Sequence, residues 1–391
     1  MKKNIFTLLL LLPVFSCTCT KETIPPPIAD SEVSEFENEE PPPEPETAQT
    51  DYLTIIAAGD NLYHDVMVRA GEEGDYEPAY AYIRPLLEKA DIAFINQETT
   101  LAGKDFGFSG FPQFNSPRNL GRAIAAAGFN VVNQANNHIM DKGEKAVFAT
   151  MDFWDTLPDI TVLGIHRSEE QRSLPRLITK NNITVGFLSY SFGTNGIPVP
   201  ADKPYLVSLT KREIMAKEID AIRPLCDFLA VSMHWGEEYR HQYNSNQKDL
   251  AMFLAEHNVD LIIGHHPHVI QPVEYILRPD GRFMLCYYSL GNLISAQARP
   301  PTMLGALAYI KIEKKPALSE RFIFIDAGAI PIVTHYEKYF TNFRIYPLYA
   351  YTEELINKHR INQTEKELEM NYLTRLASEV FKNKEIKRDP F

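Results

Sequence analysis

The stretch Val259-Asp260-Leu261-Ile262-Ile263-Gly264-His265-His266-Pro267-His268 decides how this chain folds and where its chemistry lies. Its first half is an apolar run that predicts a buried strand. Its second half places three of the chain's 11 histidines in one turn after that strand. In extended backbone, residues two apart point the same way, and the proline between His266 and His268 fixes φ. We therefore expect these two imidazoles to converge on one point, as the ligands of a metal ion do.

Other titratable and polar residues also stand directly after apolar runs that are typical of strands. In chain order they are Asp60, Glu98, Asn136-Asn137-His138 and His234. In open α/β sheets, ligands bind at the carboxyl ends of the strands, where such side chains meet. Their mixture of carboxylate, carboxamide and imidazole groups suits Mn, Fe, Zn or Ca, and the residue types alone do not choose among these metals. The pattern predicts one divalent-metal site at the strand ends.

The residue types suggest different roles within that site. A carboxylate such as Glu98 can bridge two cations, whereas a carboxamide such as Asn137 is a neutral oxygen ligand that leaves His138 free to act as an acid or to contact phosphate. His64 either completes the shell of one metal or points outward. His265 either supports its neighbours or faces the substrate, and we include it among the catalytic candidates with Asn137 and His138.

The bulk composition allows one large domain or two modest ones, because 391 residues with 45% apolar content can bury a sizeable core. The net charge of −12 is unevenly spread along the chain. Residues 1–51 carry a net charge of −7, and the remaining residues carry about −5, which is ordinary for their number. The body has no basic stripe, so we expect no nucleic-acid partner.

The first 16 residues have the pattern of a secretory signal, because two lysines precede an apolar stretch at 5–12 that is too short to span a bilayer. The following Val14-Phe15-Ser16-Cys17 resembles a bacterial lipobox. By that resemblance Cys17 is lipidated and becomes the mature N-terminus, so the protein is an extracytoplasmic lipoprotein of the cell envelope, anchored to a membrane. The alternative is an ordinary signal cut near Ser16 or Thr18.

The segment at 17–51 combines proline runs with acidic residues. Between residues 21 and 51, ten acids stand against a single lysine, among prolines at 25–27 and 41–45. Proline-rich segments of like charge stay extended and cannot bury a core. We predict a disordered linker over 17–51 that spaces the body of the protein from the membrane.

From residue 52 the pattern alternates between strands and helices, which predicts a parallel sheet. Three hairpins, at 175–190, 272–289 and 305–326, add antiparallel strands. Two packed sheets flanked by helices fit this pattern, so the predicted fold class is α/β over a domain at 52–334. Residues 335–391 are predicted to be a helical extension that packs on the outside of the domain or mediates a contact.

Local signals predict individual elements. Apolar spacing favours a helix near 77–89, and Ser116 with the proline after it indicates the N-cap and first turn of a helix at 117–127. Cys226 and Cys286 lie inside apolar runs, which predicts two buried thiols. A disulfide between these cysteines is the alternative in an oxidising compartment.

At these residues the chain resembles the CapA family, the poly-γ-glutamate capsule biosynthesis proteins, which in turn resemble the calcineurin-like metallophosphoesterase superfamily. The matching segments are, in family order, Gly59-Asp60, Asn96-Gln97-Glu98, Asn136-Asn137-His138 with Asp141 and Gly143, His234-Trp235-Gly236 with Glu238, 264–269 with Gln271, and Ser289-Leu290-Gly291-Asn292. The resemblance implies a four-layer α/β/β/α sandwich of the metallo-dependent phosphatase type with a dinuclear metal site. It also implies a role in making or anchoring a cell-surface polymer.

The resemblance implies a ligand set as well. One metal would be held by Asp60, Glu98 and His268, and the other by Glu98, Asn137, His234 and His266, with His138 as general acid or phosphate contact. The chain departs from the superfamily pattern in three places: Leu62 stands where histidine is usual, Glu98 where aspartate is usual, and Ile139 where an acid is usual. His64 replaces the missing histidine only if its loop bends differently. These departures weaken the expected ligand set of the first metal. They therefore also weaken the expectation of phosphatase activity.

Two functions remain in competition at this point. The first is a metal-dependent, phosphoesterase-like hydrolase in which two cations activate water while His138 protonates the leaving group. Its substrate would be a phosphoester or an anionic polymer of the poly-γ-glutamate type, and its partners the membrane, through the lipid, and capsule synthesis or export proteins. The alternative is a non-catalytic polymer-binding, export or anchoring factor on the same fold.

Overall fold

The computed structural model describes residues 51–314, 322–363, 368–382 and 384. Four predictions lie outside them: the signal segment 1–16, the lipidated Cys17, the linker 17–51 apart from its last residue, and the turn of the third hairpin near 315–316. Among the described residues, no helix has both the length and the apolar character needed to cross a membrane.

The strands form two sheets. In chain order they are β1 (Asp51–Leu62), β2 (Ile92–Gln97), β3 (Val131–Asn133), β4 (Thr161–Leu163), β5 (Arg176–Lys180), β6 (Ile183–Ser191), β7 (Phe228–His234), β8 (Leu261–His265), β9 (Val273–Leu277), β10 (Phe283–Tyr287), β11 (Asn292–Ser295), β12 (Leu304–Lys314), β13 (Phe322–Glu337) and β14 (Thr341–Pro347). The first sheet has the order β14-β13-β12-β1-β2-β3-β4, with β11 paired to β1, and the second has the order β5-β6-β7-β8-β10-β9. Strands β1 to β4 are mutually parallel, as are β6 to β8, so their carboxyl ends lie together within each sheet.

The described residues form nine α-helices, some of which pack on the outer faces of the two sheets. They are α1 (Asp65–Val68), α2 (Arg84–Leu87), α3 (Arg118–Ala126), α4 (Glu144–Trp154), α5 (Glu169–Ser173), α6 (Arg212–Ile222), α7 (Ser245–Glu256), α8 (Glu353–Lys358) and α9 (Met370–Phe381). Leu120 and Ile124 of α3 share one hydrophobic cluster with Ile95 of the first sheet. Ile219 of α6 and Leu254 of α7 share another cluster with the outer face of β7 and β8.

The two sheets pack face to face on a third core. Leu53, Ile55 and Ala57 of β1 point into this core, together with Val185 of β6 and Ile263 of β8, while the intervening residues of β1 face the helices. A strand that is buried on both faces has an unbroken apolar sequence, which is why β1 shows no alternation. Helix, sheet, sheet and helix make four layers, and the predicted α/β/β/α sandwich is confirmed.

The predicted hairpins are present where the structure describes them. β5 and β6 pair antiparallel around Asn181 and Asn182, whose φ angles of 50° and 60° suit the tight turn of a two-residue hairpin. β9 and β10 also pair antiparallel, as do β12 and β13. These strands extend the two parallel sheets sideways and leave the carboxyl ends of β1, β2, β7 and β8 near the middle of the fold.

Two helix predictions require correction. The single helix predicted at 77–89 is wrong, because the structure has a 3₁₀ turn at Glu77–Tyr80 followed by the short α2. Pro85 lacks the backbone N–H that a continuous helix would need at that position. Ser116 does not cap α3, whose N-terminus has no side-chain cap, and instead shares a hydrogen bond of 2.8 Å with the hydroxyl of Thr99.

The C-terminal region differs from the helical extension predicted at 335–391. β13 continues past the expected boundary at 334, and β14 pairs with it at the edge of the first sheet. The structure therefore extends the sheet into this region, since pairing with β14 satisfies the backbone groups of β13 that would otherwise form an edge. Only afterwards do α8 and α9 follow, and Ile356, Leu373 and Val380 join the same cluster as the core between the sheets.

Both cysteines of the body are free and buried. The prediction of two buried thiols is confirmed, and the alternative disulfide is not formed. Burial raises the pKa of the Cys226 thiol and raises that of Cys286 well above its usual value. Because the thiolate is the reactive form, neither cysteine is suited to redox chemistry.

Candidate metal centre

The strand order brings polar side chains from both sheets to one place. In the first sheet, Asp60 near the end of β1 lies opposite Asn96 of β2, two residues before Glu98. In the second sheet, His234 at the end of β7 lies opposite His265 at the end of β8. Because the sheets pack face to face, the loops that follow these strands meet at their common edge. This is the edge at which the sequence predicts a site.

A first group of ligand atoms comes from Asp60, Glu98 and His268. One atom from each residue lies within 4.8 Å of the other two, and all three side chains are buried. The Asp60 Oδ2 lies 3.0 Å from His268 Nδ1, and the Glu98 Oε1 lies 3.8 Å from His268 Nε2. These three residues are one of the two ligand sets that the resemblance implies.

A second group comes from Glu98, His234 and His266, again with atoms within 4.8 Å of one another. The His234 Nε2 lies 3.5 Å from Glu98 Oε1 and 2.9 Å from the side-chain oxygen of Asn137. The structure thus brings Asn137 to the second group as well. Glu98 belongs to both groups, and a third group of ligand atoms within 4.8 Å of one another comes from the exposed Glu238 with His266 and His268.

The hydrogen bonds that these side chains make, and those that they lack, show whether they fit a metal ion. Both carboxylate oxygens of Glu98 are buried and have no hydrogen-bond partner among the described residues, and the same is true of Nδ1 in His234 and in His266. A buried carboxylate is costly unless it is hydrogen-bonded, paired with a charge or bound to a metal. Carboxylate, carboxamide and neutral imidazole groups are suitable ligands for a divalent cation, so the residues present fit such an ion.

Burial also sets the protonation of the cluster. Desolvation, followed by the charge of Asp60, raises the pKa of Glu98 well above its usual value. Desolvation lowers the pKa of His266 to about 3 and that of His234 well below its usual range, so both rings are neutral. For Asp60, burial acts to raise the pKa, but the hydrogen bond and charge of His268 outweigh it and the pKa is lowered. Neutral imidazole and ionised carboxylate are the forms that bind metals, so the two histidines and Asp60 are already in the binding form, whereas Glu98 must lose its proton when a metal binds.

The two histidines of the His-Pro-His turn belong to different ligand groups around Glu98, and they also share one group with Glu238. Their φ angles are 97° for His266 and 58° for His268, so the backbone is not extended as expected, although the two rings do come together. Their ring centroids lie 5.9 Å apart, with Glu98 common to both groups. Such backbone costs about 1–3 kcal/mol per residue and is retained mainly at functional sites. The N–H of His266 donates to the carboxylate of Asp60 at 3.3 Å, which holds the turn.

His138 is held by an acid whose role the sequence did not reveal. Its Nδ1 lies 2.8 Å from Oδ2 of Asp141, and the same oxygen accepts the backbone N–H of Phe114 at 2.7 Å. Asp141 therefore supplies the carboxylate that is missing at Ile139. With Nδ1 committed to Asp141, Nε2 is the ring nitrogen available to a substrate.

Two residues of the loop after β6 were missed by the sequence reasoning. The side-chain oxygen of Asn195 accepts a hydrogen bond from the amide of Asn137 at 3.1 Å, which turns the Asn137 oxygen towards His234. The half-exposed ring of Phe192 stacks parallel to His234, with centroids 6.2 Å apart. Neither residue titrates, and the only available signal was a glycine-containing turn, Phe192-Gly193-Thr194-Asn195-Gly196, directly after a strand.

The structure does not bring His265 or His64 into either ligand group. His265 is fully buried, its ring stacks on Phe94 at 5.6 Å, and its Nδ1 lies 3.7 Å from Oδ1 of Asp60, so it lies beside that ligand in a supporting position. It shares the strand parity of Ile263, so it points into the core between the sheets, and its predicted catalytic role requires correction. His64 has its Nδ1 beside the backbone of Leu62 and Ala296, at 3.2 and 3.4 Å.

Fold and site together define a class of protein: a four-layer α/β sandwich with a buried carboxylate–histidine centre between its sheets. Residues 54–297 match the family described as bacterial capsule synthesis protein PGA_cap, and the chain belongs to this family. The PGA biosynthesis protein CapA of Bacillus subtilis (strain 168) is 25% identical over 276 residues, which are 70% of this chain and 71% of that protein. The capsule biosynthesis protein CapA of Bacillus anthracis is 28% identical over 48% of this chain and 45% of its own. The predicted CapA-family membership is confirmed.

Solved structures with a similar course of the chain are more distant. The NAD nucleotidase NadN of Haemophilus influenzae has 11% sequence identity and a TM-score of 0.43, with 73% of this chain and 59% of that chain covered. A hypothetical protein from Thermus thermophilus has 14% identity and a TM-score of 0.40, with 71% of this chain and 99% of that chain covered.

Proposed function

We propose that this protein is a metal-dependent hydrolase with a dinuclear centre that acts on an anionic substrate during the biosynthesis of a cell-surface capsule or exopolymer. The observation that carries the proposal is the buried carboxylate of Glu98, which has no hydrogen-bond partner among the described residues and is shared by two ligand groups. A lone carboxylate in that position destabilises the fold, whereas a carboxylate between two cations stabilises them.

In this proposal one ion is held by Asp60, Glu98 and His268, and the other by Glu98, Asn137, His234 and His266. When bound, the ions supply Lewis-acid polarisation of the substrate and a stronger water nucleophile. The remaining chemistry belongs to the chain. His138, in its protonated form, would donate a proton from Nε2 to the leaving group, and the Asp141 carboxylate accepts the N–H of Nδ1 and stabilises that protonated ring. Phe192 covers one face of His234 and keeps bulk water from that side.

The family supports the anionic class of substrate. The two CapA relatives are described as acting in PGA and capsule biosynthesis, and a polyanion of the poly-γ-glutamate type binds divalent cations well. A phosphoester is also negatively charged and would bind to the same metal centre. Capsule synthesis or export proteins are the proposed partners of this chain.

Metal analysis combined with hydrolysis assays tests the proposal. The full chain, purified without chelators, should contain about two equivalents of divalent metal and hydrolyse a generic phosphodiester or poly-γ-glutamate. An Asn137→Ala/His138→Ala pair should lower kcat by about 10³-fold or more. The pair His257→Ala/Asn258→Ala, at the end of α7 and far from the centre, is the matched control. Two bound metals without turnover of either substrate would favour the non-catalytic polymer-binding, export or anchoring factor instead.

We further propose that Cys17 carries a lipid and that the protein is anchored to a membrane on the extracytoplasmic side. The basic start, the apolar stretch and the Val14-Phe15-Ser16-Cys17 sequence support this. Fractionation of cells fed with labelled palmitate should find label and protein together in membranes. A Cys17→Ser variant should lose the label and appear in the soluble fraction. Retention of the label by that variant would contradict the assignment to Cys17.

A further inference from the structure

A carboxamide oxygen from strand β11 points into the first ligand group. Asn292 is the first residue of β11 and lies opposite Asp60 where that strand pairs with β1. Its side chain is fully buried, and its Oδ1 lies 3.1 Å from His268 Nδ1. The same nitrogen lies 3.0 Å from Asp60 Oδ2, so two oxygens of ligand type lie beside one imidazole nitrogen.

The orientation of the Asn292 amide is fixed by its other end. The Nδ2 group donates to the side-chain oxygen of Gln297 at 3.0 Å and to the backbone oxygen of Thr302 at 3.1 Å. Both N–H groups are thereby used, and the oxygen is left to face His268 and Asp60. A rotated amide would lose both of these bonds and place its oxygen against two acceptor oxygens, those of Gln297 and Thr302, so the oxygen-inward orientation is the one that the surroundings select.

The spacing of the three atoms matches that of neighbouring ligands on one ion. Two ligands bound at about 2.1 Å from a cation and at right angles to each other lie about 3.0 Å apart. The second ligand group already contains an amide oxygen in the same relation, since Asn137 Oδ1 lies 2.9 Å from His234 Nε2 and its amide is held by Asn195. The first group would otherwise have only three ligands from the chain.

We propose that Asn292 Oδ1 is a ligand of the ion held by Asp60, Glu98 and His268. Each ion then has one amide oxygen in its shell, from Asn292 for the first and from Asn137 for the second. Asn292 supplies the ligand that is absent at Leu62, and His64 is not needed for it. This inference rests on the proposed dinuclear centre and adds to it one residue and one element, β11.

Manganese binding to the full chain tests the assignment without any use of catalysis. Titration of the metal-free protein with Mn²⁺, followed by calorimetry and by electron paramagnetic resonance, should give two ions for the wild type. Asn292→Ala should weaken one of the two sites at least tenfold and leave the other unchanged. Asn292→Asp, which keeps an oxygen at the same position, should retain both ions. Asn130→Ala, which removes a partly buried asparagine just before β3, at the end of the sheet opposite the ligands, should bind both ions as the wild type does.

A crystal structure with Mn²⁺ separates a ligand from a mere hydrogen-bond acceptor of His268. An Oδ1 about 2.2 Å from the ion supports the proposal, and an Oδ1 more than about 3 Å away overturns it. Wild-type affinity for both ions in Asn292→Ala would overturn it as well. If the protein binds manganese through Asn292 but hydrolyses neither substrate, only the proposed hydrolase is refuted. If the wild type is active and Asn292→Ala binds both ions as the wild type does, only the assignment of Asn292 as a ligand is refuted.

Discussion

Glu98 is the residue on which the candidate centre depends most. Its side chain is fully buried, neither carboxylate oxygen has a hydrogen-bond partner among the described residues, and burial together with the charge of Asp60 raises its pKa well above the usual value. A carboxylate in that state opposes folding until a cation neutralises it. Metal binding removes the unfavourable free energy of this buried carboxylate, and the removal strengthens the affinity for the metal.

Replacing Glu98 with Gln should separate folding from metal binding. Without metal, the variant should be at least as stable as the wild type, because a neutral amide costs less to bury than a carboxylate. Mn²⁺ at 100 times its Kd should stabilise the wild type by about 2.7 kcal/mol for each ion bound, and it should leave the variant unchanged. Differential scanning calorimetry measures both effects. The exposed Glu256→Gln should keep the metal-dependent shift, and a shift of wild-type size in Glu98→Gln would exclude Glu98 as a shared ligand.

Asp141→Asn tests how His138 is oriented. The amide oxygen can still accept the N–H of Phe114, so the turn should survive, but a neutral amide stabilises the protonated ring of His138 less than a carboxylate does. We expect kcat to fall about 10- to 100-fold with the metal content unchanged. Steady-state kinetics and metal analysis on the same samples provide the check, with the exposed Asp105→Asn as control. Loss of metal from Asp141→Asn would instead place this residue among the ligands.

The sequence was enough to select the main side chains of the centre, but it was not enough to assign all of their roles. Residue type and position after apolar strands were enough to select Asp60, Glu98 and His234, which the structure places together. The roles of Asp141 and Asn195 were not accessible, because a hydrogen bond across a loop leaves no periodic pattern in the sequence. His265 was misassigned since its parity on β8, which turns it into the core, outweighs its position beside two ligands.

At the scale of elements, the centre depends on the contact between β1 and β11. The N–H of Asp60 donates to the backbone oxygen of Gly291 at 2.9 Å, and a Cβ on Gly59 would lie only 1.9 Å from that oxygen. Gly59 and Gly291 thus allow the two backbones to approach each other closely. Strands so far apart along the chain leave no local signal of their pairing, so this contact could not be predicted.

Gly59→Ala should therefore affect stability and metal binding together. The added methyl group must push β11 away from β1, which we expect to cost about 1–3 kcal/mol or more of unfolding free energy. The same displacement moves Asp60 relative to His268 and should weaken metal binding. Urea denaturation and Mn²⁺ titration measure the two effects. Gly193→Ala, where a Cβ meets nothing within 4 Å, is the control, and wild-type stability in Gly59→Ala would refute the close contact.

At the scale of the whole molecule, the first sheet has more strands than the second. The C-terminal region packs on the part of the first sheet that the second sheet leaves uncovered. Ile361 and Leu373 from this region belong to the same cluster as the core between the sheets. The layers were predictable because strand and helix patterns are local. The edge strand β14 was not, because only its last residues are buried and its first half is exposed, which resembles a loop in sequence. The region is thus part of the fold and not an appendage.

His359 fastens this region and should make its stability depend on pH. It is fully buried, its Nε2 donates to the backbone oxygen of Thr334 at 3.1 Å, and its Nδ1 accepts the N–H of Ile361 at 3.1 Å. Burial lowers the pKa of His359 to about 4, below the 6.5 of the unfolded chain. Between these two values the unfolded state binds more protons than the folded state, so stability rises with pH across this window and is lost as the pH falls.

His359→Gln should remove that dependence. From pH 7.5 to pH 5, protonation of His359 should cost the wild type about 2 kcal/mol of unfolding free energy. The variant should be less stable than the wild type at neutral pH. Between the same two pH values its unfolding free energy should fall by this amount less than that of the wild type, because glutamine does not titrate. Urea unfolding at several pH values gives the slope for each protein. The partly exposed His257→Gln should keep the wild-type slope, and an unchanged slope in His359→Gln would show that acid sensitivity arises elsewhere.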